Sequence, residues 1–190
     1  MNASYWLNPL IFTVQTLTGL YTFALILRLL MHWAAADYYN PICQWVVRIT
    51  QPPLKPLKRI LPAVGRIDTA TIVLIWLIQM AATASLVLLQ GGGVSLLPLS
   101  IWALADILSA VLDVLFFAVM ARAMLSWMNM GYNPAVSLLY TITAPMMRFA
   151  QSLLPAAGGI DLSPLLLLFA IHMCKLLAVP PLQHLASGLN

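Results

Sequence analysis

The composition of this 190-residue chain excludes an ordinary water-soluble globule, because 62% of its residues are hydrophobic and only 7% are charged. In soluble domains about a quarter of the residues are charged. We therefore interpret the net charge of +4 as a determinant of orientation in a bilayer, and we expect no nucleic-acid partner. The two cysteines, Cys43 and Cys174, lie in no metal-binding or haem-attachment motif, so we expect neither a metal nor a cofactor.

Four apolar runs are long enough to cross a bilayer, since about 20 helical residues span its hydrocarbon core of about 30 Å. They are approximately residues 9–33, 68–90, 98–128 and 161–179. No basic residue precedes Arg28, so the first run lacks the basic start of a cleavable signal peptide, and we predict a retained span. The predicted fold is an all-α integral membrane protein with four transmembrane helices.

A pattern of Arg, Trp, Asn-Pro, Pro, Gly and Asp occurs twice along the chain. The first copy comprises Arg28, Trp33, Asn40, Pro41, Pro62, Gly65 and Asp68, and the second comprises Arg122, Trp127, Asn133, Pro134, Pro155, Gly158 and Asp161. Arg and Trp recur at an offset of 94 and the later positions at 93. This spacing predicts two repeats, residues 1–90 and 98–190, joined by a linker at 91–97. Each repeat is a helix, an amphipathic connection and a helix, so the repeats run parallel.

The long connections, residues 40–61 and 133–154, are predicted to form interfacial helices. Asn40 followed by Pro41 is a typical helix start. In the first connection one apolar face is formed by Ile42, Trp45, Val46 and Ile49. We expect a break at Pro52 and Pro53, followed by a second short apolar face. The second connection repeats this plan from Asn133 and Pro134 onward.

The basic residues of the chain concentrate in the first connection, where they predict an orientation and a lipid partner. They include Arg48, Lys55, Lys58 and Arg59, which we expect to face anionic lipid headgroups. In the second connection Gln151 and Ser152 occupy the positions of Lys58 and Arg59. The positive-inside rule places both connections in the cytoplasm and both termini outside it.

Asp113 and Lys175 are the charged residues predicted to lie deepest in the bilayer. Counted from the cytoplasmic ends of their spans, they lie about 22 Å and about 21 Å deep, so they can meet. Asp106, two turns from Asp113 on the same face, would let Lys175 extend outward instead. The pair is either a structural ion pair between two helices or part of an ion or proton path, and water exposure is a further alternative.

Gln79 and His172 are repeat-equivalent at the offset of 93. We expect them to form a hydrogen-bonded pair that holds helices together. The alternative is that both add polar groups to a path. His172 and Cys174 do not point the same way on one helix, so this stretch is not predicted to bind a metal or haem.

Arg28 and Arg122 lie near the predicted cytoplasmic interface, each followed by a tryptophan, Trp33 or Trp127. One interpretation is that the arginines extend toward the headgroups beside a tryptophan belt. The other is that each arginine bonds across the bundle or to a lipid phosphate.

Asp68 and Asp161 precede the second and fourth spans. Each is predicted to cap the N-terminus of its helix. They are also possible acceptors for a basic residue of the preceding connection, such as Arg66.

The duplicated pattern R-x4-W, NP, P and LP-x2-G-x-ID resembles the YggT family of small bacterial inner-membrane proteins, over nearly the whole chain. The resemblance implies a multi-pass inner-membrane protein without an established catalytic activity. It also implies links to osmotic or ion tolerance, to cell division and envelope organisation and, in plastid relatives, to cytochrome haem attachment.

We find no nucleophile–base pair, phosphate-binding loop or carboxylate dyad, so an enzyme is not predicted. The first functional hypothesis is a scaffold or assembly factor for envelope complexes, a homo-oligomer or a partner of other membrane proteins. The second is an oligomeric ion or small-solute channel or transporter, which requires Asp113, His172 or Gln79 to line water. The third, cytochrome or haem maturation, depends on the plastid resemblance alone.

Overall fold

The computed structural model describes residues 3–126, 128, 133–153 and 161–189, with side chains described from residue 7 onward. Three residues of the repeated pattern, Trp127, Pro155 and Gly158, lie outside the described residues.

Within the described ranges the chain forms six helices and no strand. They are α1 (Ala3–Trp33), α2 (Pro41–Ile60), α3 (Thr69–Leu89), α4 (Leu96–Ser126), α5 (Pro134–Leu153) and α6 (Ser163–Ser187). The helices α1, α3, α4 and α6 are long and apolar enough to cross a membrane. This confirms the predicted all-α architecture with four transmembrane helices, in which α2 and α5 are the connecting helices.

Prolines interrupt the helices less than predicted. The expected break at Pro52 and Pro53 is wrong, because α2 is one continuous helix of 20 residues. The turn before these prolines is held from outside by Arg28, which bonds to the side chains of Thr50 and Gln51. Similarly, α6 continues through Pro180 and Pro181 to Ser187, beyond its predicted end at residue 179.

The face of α2 that packs against the protein is offset from the apolar face that we expected to meet the lipid. It consists of Cys43, Val46, Thr50 and Leu54, whereas the predicted apolar face contained Trp45, which is 62% exposed. The helix lies against α1, α3 and α5, and its orientation there is set by the bond from Arg28 to Thr50. The exposed Trp45 is compatible with an apolar side of α2 that faces lipid.

The two repeats use the same internal packing but are not arranged symmetrically around one axis. In the first repeat α1 packs on α3, and in the second α4 packs on α6, the most extensive helix contact in the molecule. The helix α4 is central, since it also contacts α1, α3 and α5. Among the described residues α6 makes no comparable contact with α1. The bundle therefore lacks the α6–α1 contact that exact two-fold symmetry would require.

The starts of the two connecting helices meet. The Asn40 side chain caps α2 by accepting from the amide of Ile42 at 2.9 Å, and its Nδ2 donates to the carbonyl of Pro134 at 2.7 Å. The Asn133 side chain accepts from the amide of Ala135 at 2.8 Å. An asparagine thus caps the connecting helix in both repeats, and Asn40 also joins the two repeats.

Candidate functional site

Asp113 and Lys175 join α4 to α6 within the span region. The Lys175 Nζ donates to both carboxylate oxygens of Asp113, at 2.6 and 2.7 Å. The side chains are 31% and 45% exposed for Lys175 and Asp113, so the pair lies at the side of the helix contact and is not enclosed by it. Asp106 forms no ion pair with the described residues. The structure therefore places Lys175 on Asp113 and not on Asp106.

A cavity of about 630 Å³, which we call the α1–α4 groove, lies beside this ion pair. Its walls are apolar residues of α1, α4 and α5, including Phe23, Phe117 and Leu138. Its polar lining residues are Thr22, Gln79 and Asp113. Thr22 donates its hydroxyl to the Gln79 side-chain oxygen at 3.4 Å. Each polar residue of the groove therefore has a partner within the protein.

A second cavity of about 340 Å³ lies between α4 and α6. It is lined by Asp113, Lys175 and His172 together with apolar residues such as Phe117. The ring of His172 lies 6.4 Å from that of Phe116, measured between centroids. Asp113 and Phe117 line both cavities, so the ion pair lies where the two cavities adjoin.

The expected pairing of Gln79 with His172 is not found. Gln79 bonds to Thr22, and His172 packs against Phe116. Thr22 and Phe116 are themselves equivalent at the offset of 94. Equivalent residues do not meet here because α3 packs on α1 and α6 packs on α4, so each faces a partner in its own repeat. Aligning the two repeats residue by residue would have indicated this arrangement.

Arg28 bonds to the connecting helix of its own repeat. The guanidinium donates to the hydroxyl of Thr50 and the side-chain oxygen of Gln51, both at 2.7 Å, and to the carbonyl of Val47 at 3.3 Å. Thr50 in turn donates to the carbonyl of Val46 at 2.7 Å. The side chain of Arg28 is enclosed by the protein, since the residue is only 7% exposed.

Arg122 repeats this arrangement in the second copy. It donates to the hydroxyl of Thr143 at 2.9 Å and to the carbonyl of Tyr140 at 3.3 Å, and its guanidinium carbon lies 4.5 Å from the centre of the Tyr140 ring. Thr143 donates to the carbonyl of Leu139 at 2.8 Å. In both repeats the arginine bonds to the connecting helix that follows it, so each contact lies within one repeat and does not cross the bundle. We call the two Arg–Thr contacts the arginine clasps.

Asp68 caps α3 and also binds a lysine of α2. It accepts from the amide of Thr71 at 3.3 Å, and the Lys58 ammonium lies 2.6 Å from its Oδ2. Burial raises the pKa of Asp68, but the hydrogen bonds from Lys58 and Thr71 and the charge of Lys58 outweigh that effect and lower the pKa below its ordinary value. Lys58 is thus not a free lipid-facing cation, and the suggested partner Arg66 is replaced by Lys58.

Asp161 occupies the equivalent position in the second repeat, but the expectation that it caps its helix is wrong, because the N-cap of α6 is Leu162. It accepts from the amide of Ser163 at 2.9 Å and from the side-chain amide of Gln151 at 2.9 Å. The hydrogen bonds from Ser163 and Gln151 lower the pKa of Asp161. Gln151 is equivalent to Lys58, so the second repeat keeps the contact and loses its positive charge. The sequence indicates this equivalence, because Lys58 and Gln151 are separated by the repeat offset of 93 residues.

The remaining residues of the repeated pattern have local structural roles. Gly65 has a φ of +60° in the turn closed by Val64 and Ile67, a conformation that disfavours residues with a Cβ. The carbonyl of Pro62 accepts from the Thr69 hydroxyl at 2.7 Å. Trp33 is half-buried at the end of α1.

The last set of predicted site residues lies on the outer surface of α2. Arg48, Lys55 and Arg59 are exposed. Among the described residues no cluster of three or more metal-ligating side chains is present. The geometry thus consists of clasps, helix caps, one intramembrane ion pair and a basic surface.

This fold and these contacts define a multi-pass membrane protein built from two parallel repeats. A family model described as CCB3/YggT matches the chain twice, over residues 7–89 and 101–182. The chain belongs to this family, as the sequence pattern predicted, and each match covers one repeat.

Relatives in several bacteria align over most of the chain. The protein PA0392 of Pseudomonas aeruginosa is 39% identical over 172 residues, covering 89% of this chain and 87% of its own. The protein YggT of Escherichia coli K12 is 35% identical over 179 residues, covering 93% of each chain. Both carry the description "uncharacterized", and no solved structure matches the chain.

Proposed function

We propose that this protein is a non-enzymatic scaffold or assembly factor for cell-envelope complexes in the bacterial inner membrane. The observation that carries the proposal is the internal pairing of the polar groups in the α1–α4 groove. Thr22 bonds to Gln79, and Asp113 bonds to Lys175. A conducting path needs polar groups that are free to replace the hydration shell of an ion. These groups are already used to hold helices together.

The arginine clasps support the same proposal. Each clasp attaches a connecting helix to the first span of its repeat through charge-assisted hydrogen bonds. The contacts of Lys58 with Asp68 and of Gln151 with Asp161 attach the other end of each connection to the second span. A unit held at both ends of each connection is suited to presenting a fixed surface to partners.

The outer faces of the spans provide that surface. Phe117, Phe169 and Leu177 are among the large apolar side chains that are exposed on α4 and α6. In a bilayer such faces meet lipid, a second copy of the chain or another membrane protein. We propose that the protein forms a homo-oligomer or binds other membrane proteins through these helices. A role in osmotic tolerance or division would follow from the complex that it holds.

Orientation is part of the proposal. The basic residues of α2 and the turn after it favour placing both connecting helices in the cytoplasm, with both termini outside it. Reporter fusions at the two termini and in the linker at residues 91–97 test this. We expect all three fusions to report the outer side, and a cytoplasmic signal from either terminus would contradict the topology.

The scaffold proposal is tested by combining flux with crosslinking. Wild type and Asp113→Asn, reconstituted in vesicles, should show the same ion flux as empty vesicles. Photo-crosslinkers at Phe169 and Leu177 should give discrete adducts in cells, whereas a crosslinker at the buried Ile171 serves as the matched control on the same helix. Discrete membrane complexes that are lost on gene deletion support the scaffold. Flux that changes in Asp113→Asn contradicts it.

A second candidate, an oligomeric ion or small-solute channel, is favoured by one observation. Asp113 lines both cavities and remains 45% exposed, so one carboxylate borders open space on either side. In an oligomer these cavities would need to join across subunits. The flux comparison above distinguishes the two functions.

A further inference from the structure

We infer that α2 carries a binding surface for anionic phospholipid headgroups, and that this surface is confined to the first repeat. It consists of Arg48, Lys55 and Arg59, which we call the basic stripe. At about 100° per residue, positions 7 and 11 residues beyond Arg48 return to within about 20° of it on either side. The three cations therefore form one line along the helix, and all three are exposed.

The basic stripe points away from the protein core. Val46, Thr50 and Leu54 are buried, and they lie about 160° to 240° around the helix from Arg48. The stripe is therefore on the opposite side of α2 from the contacts with α1, α3 and α5. Its side chains extend into the surroundings of the protein.

The two flanks of the stripe differ in polarity. One flank, about 60° to 120° from Arg48, carries Trp45 and Ile60, which are 62% and 79% exposed. The other flank carries Gln44 and Gln51, both exposed. A helix lying at a membrane surface requires this order, with apolar residues against acyl chains, cations at the phosphates and amides toward water. Exposed Trp is also typical of the interface.

The charges of the stripe are not neutralised within the protein. Lys58, the remaining cation of α2, bonds to Asp68 at 2.6 Å. Asp113 is occupied by Lys175. Among the described residues no acidic side chain forms an ion pair with Arg48, Lys55 or Arg59. Charge complementarity therefore has to come from outside the chain.

The second repeat lacks the stripe. The positions equivalent to Arg48, Lys55 and Arg59 are Thr141, Arg148 and Ser152, so α5 retains a single charge. We therefore place the anionic lipids along one edge of the molecule. This inference goes beyond the scaffold proposal and does not depend on it, because the stripe lies on a different face from the spans.

The test measures the lipid preference of the intact protein in vesicles. Spin-labelled phosphatidylglycerol and phosphatidylcholine report how much of each lipid is immobilised by the protein. We expect the wild type to prefer phosphatidylglycerol about fivefold, since each basic residue near the surface contributes a modest attraction. In the triple variant Arg48→Gln/Lys55→Gln/Arg59→Gln this preference should fall to about one, and in the wild type high salt should reduce it.

Two controls separate the stripe from general charge and from misfolding. Lys55→Gln and Arg148→Gln remove one exposed charge at equivalent positions of the two repeats, and only the first should reduce the preference. The variant Arg48→Lys/Arg59→Lys keeps the charges and should retain it, with an unchanged thermal transition. Equal effects of Lys55→Gln and Arg148→Gln, or an undiminished preference in the triple variant, would overturn the inference. The latter result would assign the lipid preference to residues outside the stripe.

Discussion

The Lys58 ammonium lies 2.6 Å from the carboxylate of Asp68, and the second repeat replaces this ion pair with a neutral contact between Gln151 and Asp161 at 2.9 Å. The comparison shows what each repeat requires. The carboxylate accepts from a backbone amide at the start of the following span in both copies, as the N-cap at Asp68 and one residue before the N-cap at Asp161. Its side-chain partner is charged in the first copy and neutral in the second. The two repeats have therefore kept the contact between the connecting helix and the second span, while the charge of this contact has diverged.

The first prediction concerns that ion pair. Asp68→Asn keeps a side chain that can cap α3 and removes the charge opposite Lys58. We expect a loss of about 1 kcal/mol in unfolding free energy, because Lys58 is partly exposed and the pair is screened. The equivalent change Asp161→Asn should cost less, since Gln151 is neutral. Thermal unfolding in nanodiscs measures both, and a larger loss in Asp161→Asn would contradict this account.

The second prediction is a pH dependence. The pKa of Asp68 in the folded protein is lowered from its ordinary value of 3.8. Its contribution to stability is therefore fully present above that value and is lost as the pH falls through the lower folded pKa. The thermal transition should decline as the pH falls below 3.8. In Asp68→Asn the same titration should be flatter, and identical curves would assign the acid sensitivity to other groups.

The third prediction concerns the arginine clasps. Arg28→Lys keeps the charge but loses the planar fork that reaches Thr50 and Gln51 together. We expect a loss of about 2 kcal/mol, because Arg28 is buried and its partners would be left incompletely bonded. Arg122→Lys should cost less, since Arg122 has no counterpart of the Gln51 bond among the described contacts. Unfolding in nanodiscs measures the loss of stability in both variants. Equal losses would mean that the bond from Arg28 to Gln51 contributes nothing to stability.

The fourth prediction concerns the intramembrane ion pair. Asp113→Asn and Lys175→Met should each destabilise the protein, because each leaves one charge without its partner inside the bilayer. The double variant should recover about 1 kcal/mol relative to the sum of the single effects. A double-mutant cycle of thermal unfolding measures this coupling. Additive effects would mean that the contact at 2.6 Å contributes nothing to the packing of α4 on α6.

Prediction from the sequence succeeded where local and repeated signals agreed. The four spans, the two connecting helices and the cap at Asn40 follow from apolar run length, proline position and capping chemistry, all of which act over a few residues. The pairing of Asp113 with Lys175 was among the alternatives, because helix rise gave both the same depth. Hydrophobic periodicity indicated an apolar face of α2 but not which residues pack against the protein, since it does not detect the contact between Arg28 and the buried Thr50.

The class of protein, its duplicated plan and the residue types at each inter-helix contact follow from the sequence, because composition and spacing constrain helices directly. Which partner each of these residues bonds to depends on how the helices pack. Arg28 bonds to Thr50, Lys58 to Asp68 and Gln79 to Thr22 because helices from the same repeat pack together. These choices depend on the rotation of one helix against another, and a one-dimensional pattern leaves that rotation free until side chains from both helices compete for the same contacts.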